Sequence, residues 1–327
     1  MSEFNHYPVM LKEAVDALNC ESGKLYIDAT LGGGSYSELI LKRISPSGRL
    51  ISFDVDIDGV NFSKHKLEDY ENLTIVHSSY TNIKKYLEEN NINEITGGIV
   101  FDFGASTHQL TSAERGFSFL KDSKLDMRFD RSADFSAYDV VNDYKEDELV
   151  RIFSEYGEER FSKRIAKKII EERKKKKIET TQELVNIVFD ATPRIKSKIH
   201  PATRVFQAIR IEVNDELNNI KNTLNEVLTL LSNDAILSIV TFHSLEDRIA
   251  KRFLKRYSNE WIDDQIPTDK NGESKRYALL QMSAMPVYNK PLLEMVNKKP
   301  IAASDDEIRR NPPSRSAKLR IAKRINK

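Results

Sequence analysis

Through the first hundred residues, short apolar runs bounded by turn residues alternate with segments of helical periodicity. The runs predict strands at Lys24–Thr30, Arg49–Asp56, Leu73–Tyr80 and Gly97–Phe103. In LISFDV and GGIVFDF the apolar positions are consecutive, as in strands covered on both faces. Between them the periodicity predicts helices at Tyr36–Ile44, Gly59–Tyr70 and Asn82–Glu89. Such alternation requires parallel strands joined by helical crossovers, so the expected class is α/β with a doubly wound sheet. From about Thr111 to Arg204 the strand pattern stops. Leu149, Ile152, Phe153 and Tyr156 mark one helix, and Phe161, Ile165 and Ile169 a second beyond Gly157. Thr180 and Glu183 form a capping box that opens a third helix, stopped near Pro193. Alternation then resumes: one long helix from about Val205 to Leu231, the strand AILSIVTFHS, a helix over Leu245–Tyr257, and late strands at Tyr277–Met282 and Ala317–Ile325. The expectation is a Rossmann-like sheet of about seven strands built from residues 1–110 and 205–327, with a helical domain, 111–204, inserted into it.

Composition narrows the class. The 39% hydrophobic content supplies a core, and the 327 residues fit one large or two ordinary domains at ~150 residues each. No apolar run approaches the ~20 residues needed to span a bilayer. The start, MSEFNHYPVML, lacks a charged-then-apolar leader. Cys20 is the single cysteine, so no internal disulfide is possible and a cytoplasmic, reducing setting is expected. No histidine has an H-x-x-x-H or C-x-x-C partner, and no metal site is expected. The net charge of +1 conceals segregation: Arg160–Lys177 holds ten Lys/Arg and two Glu, and Arg309–Lys327 holds eight Lys/Arg and no acid. Such runs suit either a solvated helix face or a polyanion.

The candidate chemistry gathers at strand ends. After the first strand, DATLGGGSYS turns through three glycines into a helix. Glycines let a ligand approach the backbone, and the helix start adds unpaired N–H groups. A phosphate-binding P-loop is excluded because no Lys-Ser or Lys-Thr follows; a dinucleotide fingerprint lacks its third glycine, at Ser37. Ligands of open α/β sheets lie outside the carboxyl ends of the strands. Four ends here carry Asp28, Asp54, Asp102, and His243 with Ser244. Asp54, at the second strand end, can accept from ribose hydroxyls. Each acid alone would equally serve as a helix N-cap, but three at successive strand ends point to a nucleoside site.

Eight segments, in order, carry a resemblance: HYPVMLKEAVDAL, DATLGGGSYS, DFGASTHQL, ERGFSFLKDSKLDMRFD, YGEERFSKRIAKKI, HPATRVFQAIRIEVNDEL, FHSLEDRIAKRF and NPPSRSAKLRIAKR. Over nearly its whole length the chain resembles the bacterial 16S ribosomal RNA (cytosine-N4)-methyltransferase family (RsmH, formerly MraW). The resemblance implies S-adenosylmethionine as methyl donor and one decoding-site cytidine (position 1402 in the usual 16S numbering) as acceptor. It also implies 16S rRNA or the small ribosomal subunit as partner, and a methyltransferase sheet with an inserted helical substrate domain. Seven strands suit that sheet better than a six-stranded dinucleotide domain.

By the same resemblance Gly34, Ser35 and Tyr36 line the cofactor, Asp54 holds the ribose, and Tyr80 packs beside the adenine. Asp102 and Gln109 make the remaining contacts. The cytosine N4 is a weak nucleophile and gains from a hydrogen-bond acceptor. Asp102 is the first candidate for that role and His243 the second, with a structural cap as the alternative role of His243. Arg115, Arg128, Arg204 and Arg210 fall in the family blocks and are expected to line a substrate cleft. The chain departs from the family where Gly34-Ser35-Tyr36 replaces Gly-Gly-His, and where His108 stands for a proline. NPPS at Asn311–Ser314 is expected to be a turn before the last strand. The competing classes are a non-catalytic RNA-binding or ribosome-assembly factor, an adenosylmethionine enzyme acting on DNA or protein, and a nicotinamide oxidoreductase.

Overall fold

The computed structural model describes residues 8–193, 200–258 and 290–327. Contacts divide these into two units. The sheet unit comprises the described residues of Pro8–Asp54, Lys64–Phe103 and Ile220–Lys327; the helical unit comprises those of Val55–Ser63 and Gly104–Asn219.

The chain begins with α1 (Leu11–Ala17), β1 (Leu25–Asp28), α2 (Ser35–Ile44) and β2 (Arg49–Asp54). It continues through α3 (Ile57–Lys66), β3 (Leu73–His77), α4 (Ile83–Glu89) and β4 (Gly98–Asp102). Six helices follow: α5 (Thr107–Thr111), α6 (Ala137–Asp143), α7 (Glu146–Glu155), α8 (Ser162–Arg173), α9 (Thr181–Ala191) and α10 (Ala202–Val213). Then come α11 (Glu216–Leu230), β5 (Ile236–Thr241) and α12 (Ser244–Tyr257). The last elements are β6 (Leu293–Met295), β7 (Ile301–Ala302), α13 (Asp305–Arg310) and β8 (Lys318–Arg324).

The sheet has eight strands in the order β3-β2-β1-β4-β5-β8-β6, with β7 also on β8. β1 to β5 are parallel, and β8 runs antiparallel to β5. The strand expected at Tyr277–Met282 lies outside the described residues; the short β6 and β7 pair with β8 instead. Successive strand residues point to opposite faces, and both faces here are apolar. Ile27, Ile51, Phe53, Ile99, Phe101, Leu237 and Ile239 pack with Leu87 of α4, Leu224 of α11 and Phe253 of α12. Their neighbours Tyr26, Leu50, Val100 and Val240 pack on the other side with Val15 of α1 and Ile40 of α2. Each such side chain contributes ~1.5–3 kcal/mol when fully buried, which explains the near-continuous apolar runs in the sequence.

In the helical unit the predicted stripes are the core: Leu149, Ile152 and Phe153 of α7, Ile165 and Ile169 of α8, and Leu184 and Val188 of α9. Thr180 caps α9 by accepting the Glu183 amide at 3.3 Å. Gly157 is required between α7 and α8, because a Cβ there would lie 2.7 Å from the backbone oxygens of Phe153 and Arg204. The single long helix expected over Val205–Leu231 is in fact two. α10 stops at Asn214, and Asp215 takes a left-handed φ of 47° before α11 begins. The break follows from Asn214, whose amide donates to the Met127 carbonyl (2.8 Å) and accepts from the Phe129 amide (2.7 Å). That partner is distant in sequence, so helical periodicity carried through the junction.

Candidate active site

Because β2, β1, β4 and β5 are parallel neighbours, their carboxyl ends share one edge of the sheet. Asp54 and Asp102 are the last residues of β2 and β4, Asp28 ends β1, and His243 lies two residues beyond β5.

The glycine turn is built on that edge. Gly32 and Gly34 adopt left-handed φ values of 47° and 72°, and Gly34 is the N-cap of α2. Ser35 is already helical, so the residue in the family's second glycine position needs no positive φ. The Gly32 amide donates to Asp54 Oδ2 at 2.6 Å, and Lys66 Nζ donates to the Gly33 carbonyl at 3.2 Å. Asp28 lies fully buried beneath the turn. Its Oδ2 accepts from Ser37 Oγ (2.7 Å), which is 2.8 Å from Ser52 Oγ, and its Oδ1 accepts the Thr30 amide (3.1 Å). Burial pushes the Asp28 carboxyl up to about 6, against the opposing pull of the Ser37 and Thr30 bonds. Asp28 is thus a tie between strand and helix. Thr30 extends the chain of bonds by accepting the Asp102 amide on Oγ1 at 2.8 Å.

The Asp102 side chain is different. Its Oδ1 is buried with no hydrogen-bond partner among the described residues. Desolvation, followed by the charges of Asp28, Glu246 and Glu307, holds its carboxyl well above the ordinary range. An unmet buried acceptor of this kind is costly without a ligand.

His243 is the N-cap residue of α12, with 12% of its side chain exposed. The capping itself falls to the buried Glu246, whose Oε2 accepts the amides of Phe242 (2.7 Å) and His243 (3.3 Å). His243 Nε2 lies 3.0 Å from Glu246 Oε1, but neither ring nitrogen makes a well-formed hydrogen bond among the described residues. Tyr80 opens a 3₁₀ turn after β3, its ring edge-on to Phe101 (6.1 Å) and Phe103 (5.6 Å).

Two expected site residues have their side chains committed elsewhere. The Tyr36 ring is buried in the core of the sheet unit and its hydroxyl donates to the Val9 carbonyl, so only its backbone remains for a ligand. Gln109 belongs to the helical unit. Its Oε1 accepts the Ser106 amide (2.9 Å) and its Nε2 donates to Asp56 Oδ2 (2.8 Å). Asp56 also takes Arg115 Nη1 at 2.7 Å, in a buried cluster that sequence patterning missed.

The four arginines expected to line a cleft each make contacts within the helical unit. Arg115, 3% exposed, also donates to the carbonyls of Arg128 (3.0 Å) and Phe129 (3.1 Å). Arg128 forks onto Asp126 at 2.9 and 2.7 Å. Arg210 forks onto Glu216 at 2.8 and 3.0 Å, and Arg204 donates to the Glu158 carbonyl at 3.2 Å.

Much of the segregated charge is likewise paired in three dimensions. Lys175 contacts Glu172, Lys176 contacts Glu183 and Lys177 contacts Asp143. In the C-terminal tail, Lys318 and Arg320 share Asp247, Lys323 sits by Glu294, and Lys327 by Glu94. NPPS is a 3₁₀ turn before β8, as expected.

A parallel sheet with a glycine turn after β1, an acid closing β2, and an antiparallel β8 beside β5 is a Rossmann-like α/β architecture. Within that class the chain belongs to the MraW methylase family, which it matches over residues 3–325. It is 44% identical over 325 residues to the ribosomal RNA small subunit methyltransferase H of Clostridium botulinum (strain Loch Maree / Type A3), across 99% of this chain and 100% of that protein. The proteins of the same name from Caldicellulosiruptor bescii (45% over 323 residues) and Clostridioides difficile (44% over 331) are likewise covered at 98% and 99% of this chain and 100% of their own lengths.

Proposed function

We propose that the chain transfers the methyl group of S-adenosylmethionine to the N4 amino group of a decoding-site cytidine in 16S rRNA. The observation that carries this reading is full-length relatedness, at 44% identity, to a ribosomal RNA small subunit methyltransferase H. A ribosomal substrate places the enzyme in the cytoplasm, and no helix among the described residues is long and apolar enough to cross a membrane.

The residues on the strand edge fit the donor. Its ammonium and sulfonium are cationic, and the buried, unpartnered Oδ1 of Asp102 is an acceptor suited to a cation or an amino group. The Gly32–Gly34 turn presents backbone without side chains, Asp54 closes β2 for the ribose, and Tyr80 offers a ring for the adenine. When bound, the donor would supply an electrophilic methyl for in-line attack by N4, with the thioether S-adenosylhomocysteine as the leaving group.

The chain does the rest by position and proton affinity. Asp54 ties the turn to β2 and orients the ribose. Asp102 accepts an N4–H, which helps the nitrogen lone pair leave conjugation with the ring. Its raised proton affinity makes it a stronger base than an exposed aspartate. His243, with neither ring nitrogen in a well-formed hydrogen bond, is the second acceptor at the adjacent strand end. Holding the reacting atoms in line supplies much of the acceleration. The helical unit recognises the RNA.

The test incubates purified chain and isotope-labelled donor with small subunits and with naked 16S rRNA, followed by nucleoside mass spectrometry. N4-methylcytidine in a decoding-site fragment is expected. RNA binding without methylation would support the assembly-factor class, and label in another nucleoside would redirect the substrate.

A further inference from the structure

We infer that one face of α8 and the turn before it, formed by Arg160, Lys163, Arg164 and Lys167, is where the helical unit docks on the phosphodiester backbone of its RNA. The inference rests on the reading of the substrate as RNA and goes beyond it by locating the contact surface.

Three of these residues lie at helical spacing on α8, Lys163 and Lys167 one turn apart with a rise of ~6 Å; Arg160 precedes Lys163 by three positions. All four are exposed, while Ile165, Ala166 and Ile169 on the opposite side are buried in the unit's core. The stripe therefore faces outward.

What separates it from Lys168, Arg173 and Lys175–Lys177 in the same run is the lack of a polar partner among the described residues. Lys168, Lys175, Lys176 and Lys177 each sit within 3.0 Å of a carboxylate, and Arg173 is held by the carbonyls of Val141 (2.8 Å) and Tyr144 (2.6 Å). Among the described residues no carboxylate pairs with Arg160, Lys163, Arg164 or Lys167. Like charges at three- and four-residue spacing destabilise a helix by ~0.2–0.5 kcal/mol per pair, so the arrangement is unfavourable until an anion joins it. Two of the groups are also pre-ordered. The guanidiniums of Arg160 and Arg164 both lie over the Phe161 ring, 5.8 and 6.0 Å from its centroid. Stacking restrains each planar fork while leaving its N–H donors for phosphate oxygens. The basic run read from the sequence, Arg160–Lys177, contains this stripe; in its Lys174–Lys177 portion three of the four charges are matched internally.

The test compares two full-chain variants: Arg160→Gln/Lys163→Gln/Arg164→Gln/Lys167→Gln, and a control with Lys174→Gln to Lys177→Gln. The probe is a decoding-site 16S rRNA fragment titrated by fluorescence anisotropy between 50 and 250 mM salt. The stripe variant is expected to bind at least tenfold more weakly at low salt. Its log–log salt slope should flatten by roughly 0.7–0.9 for each lost phosphate contact. The control should change by less than threefold. Unaltered donor affinity by calorimetry establishes that the variant is folded, and Arg160→Lys/Arg164→Lys should retain the slope. An unchanged slope in the stripe variant, or a larger loss in the control, overturns the inference. So does binding of wild type to anionic phosphatidylglycerol vesicles through this stripe in preference to RNA. If wild type forms no N4-methylcytidine, the substrate reading fails on its own; if it does and the stripe variant binds as wild type does, only the docking surface fails.

Discussion

Asp28→Asn separates a structural acid from a chemical one. Asp28 is fully buried, and its carboxyl is lifted from the ordinary 3.8 to about 6, chiefly by desolvation. At ~1.4 kcal/mol per pH unit this corresponds to ~3 kcal/mol. In the unfolded chain Asp28 loses its proton near pH 4; in the folded chain it does so near 6. Between those values the folded state holds the extra proton, so stability falls by ~3 kcal/mol as pH rises through the window and is level above it. Asparagine does not titrate. It keeps an acceptor for the Thr30 amide and turns its NH₂ toward Ser37 Oγ, which can then donate to Ser52; the rearrangement costs ~1 kcal/mol at every pH. The variant should therefore be the less stable protein at pH 4 and the more stable one, by ~2 kcal/mol, at pH 7.5. With an unfolding entropy of ~2.1 cal/mol/K per residue, a chain of this length shifts by ~1.5 °C per kcal/mol. The difference in Tm between variant and wild type should swing by ~4–5 °C across the window, measured by scanning calorimetry or dye-based melting. A difference that stays constant from pH 4 to 7.5 would show that burial does not govern this carboxyl.

Other outcomes bear on the proposed chemistry. Asp54→Ala removes the acceptor of the Gly32 amide as well as a ribose contact. Donor affinity should fall by ~1.5–3 kcal/mol for each charge-assisted hydrogen bond lost, and calorimetry that finds wild-type affinity removes Asp54 from the site. Asp102→Asn at saturating donor should slow single-turnover methylation by roughly 10²-fold or more with little change in Tm; near wild-type turnover, alongside a slow His243→Ala, transfers the acceptor role to His243. Because burial raises the proton affinity of the Asp102 carboxyl above the ordinary carboxylate range and a cationic donor favours its ionised form, donor affinity should rise with pH in wild type and be flatter in Asp102→Asn. Calorimetry across pH checks this, and equal pH dependence in the two proteins would refute it.

The sequence by itself determined what depends on near neighbours. Consecutive apolar runs and helical patterns located β1 to β5 and the helices around Leu149–Phe153 and Ile165–Ile169, because each strand is apolar on both faces and each helix on one. Strand-end acids and the Gly32–Gly34 turn were visible because a parallel sheet gathers its carboxyl ends on one edge whatever the loops do. The break at Asn214 came only with the tertiary structure, since its cause is a bond to Met127, 87 residues away. The burial of Tyr36, the Asp56–Gln109–Arg115 cluster and the structural duties of Arg128 and Arg210 were equally out of reach. Charge showed the difference most clearly. Four consecutive lysines form a basic patch on paper, but Asp143 and Glu183 come from other helices to match Lys177 and Lys176. Arg160, Lys163, Arg164 and Lys167, earlier in the same run, meet no such carboxylate among the described residues. A side chain's charge is written in the sequence; whether that charge is neutralised is a property of distance, and distance exists only in the folded chain.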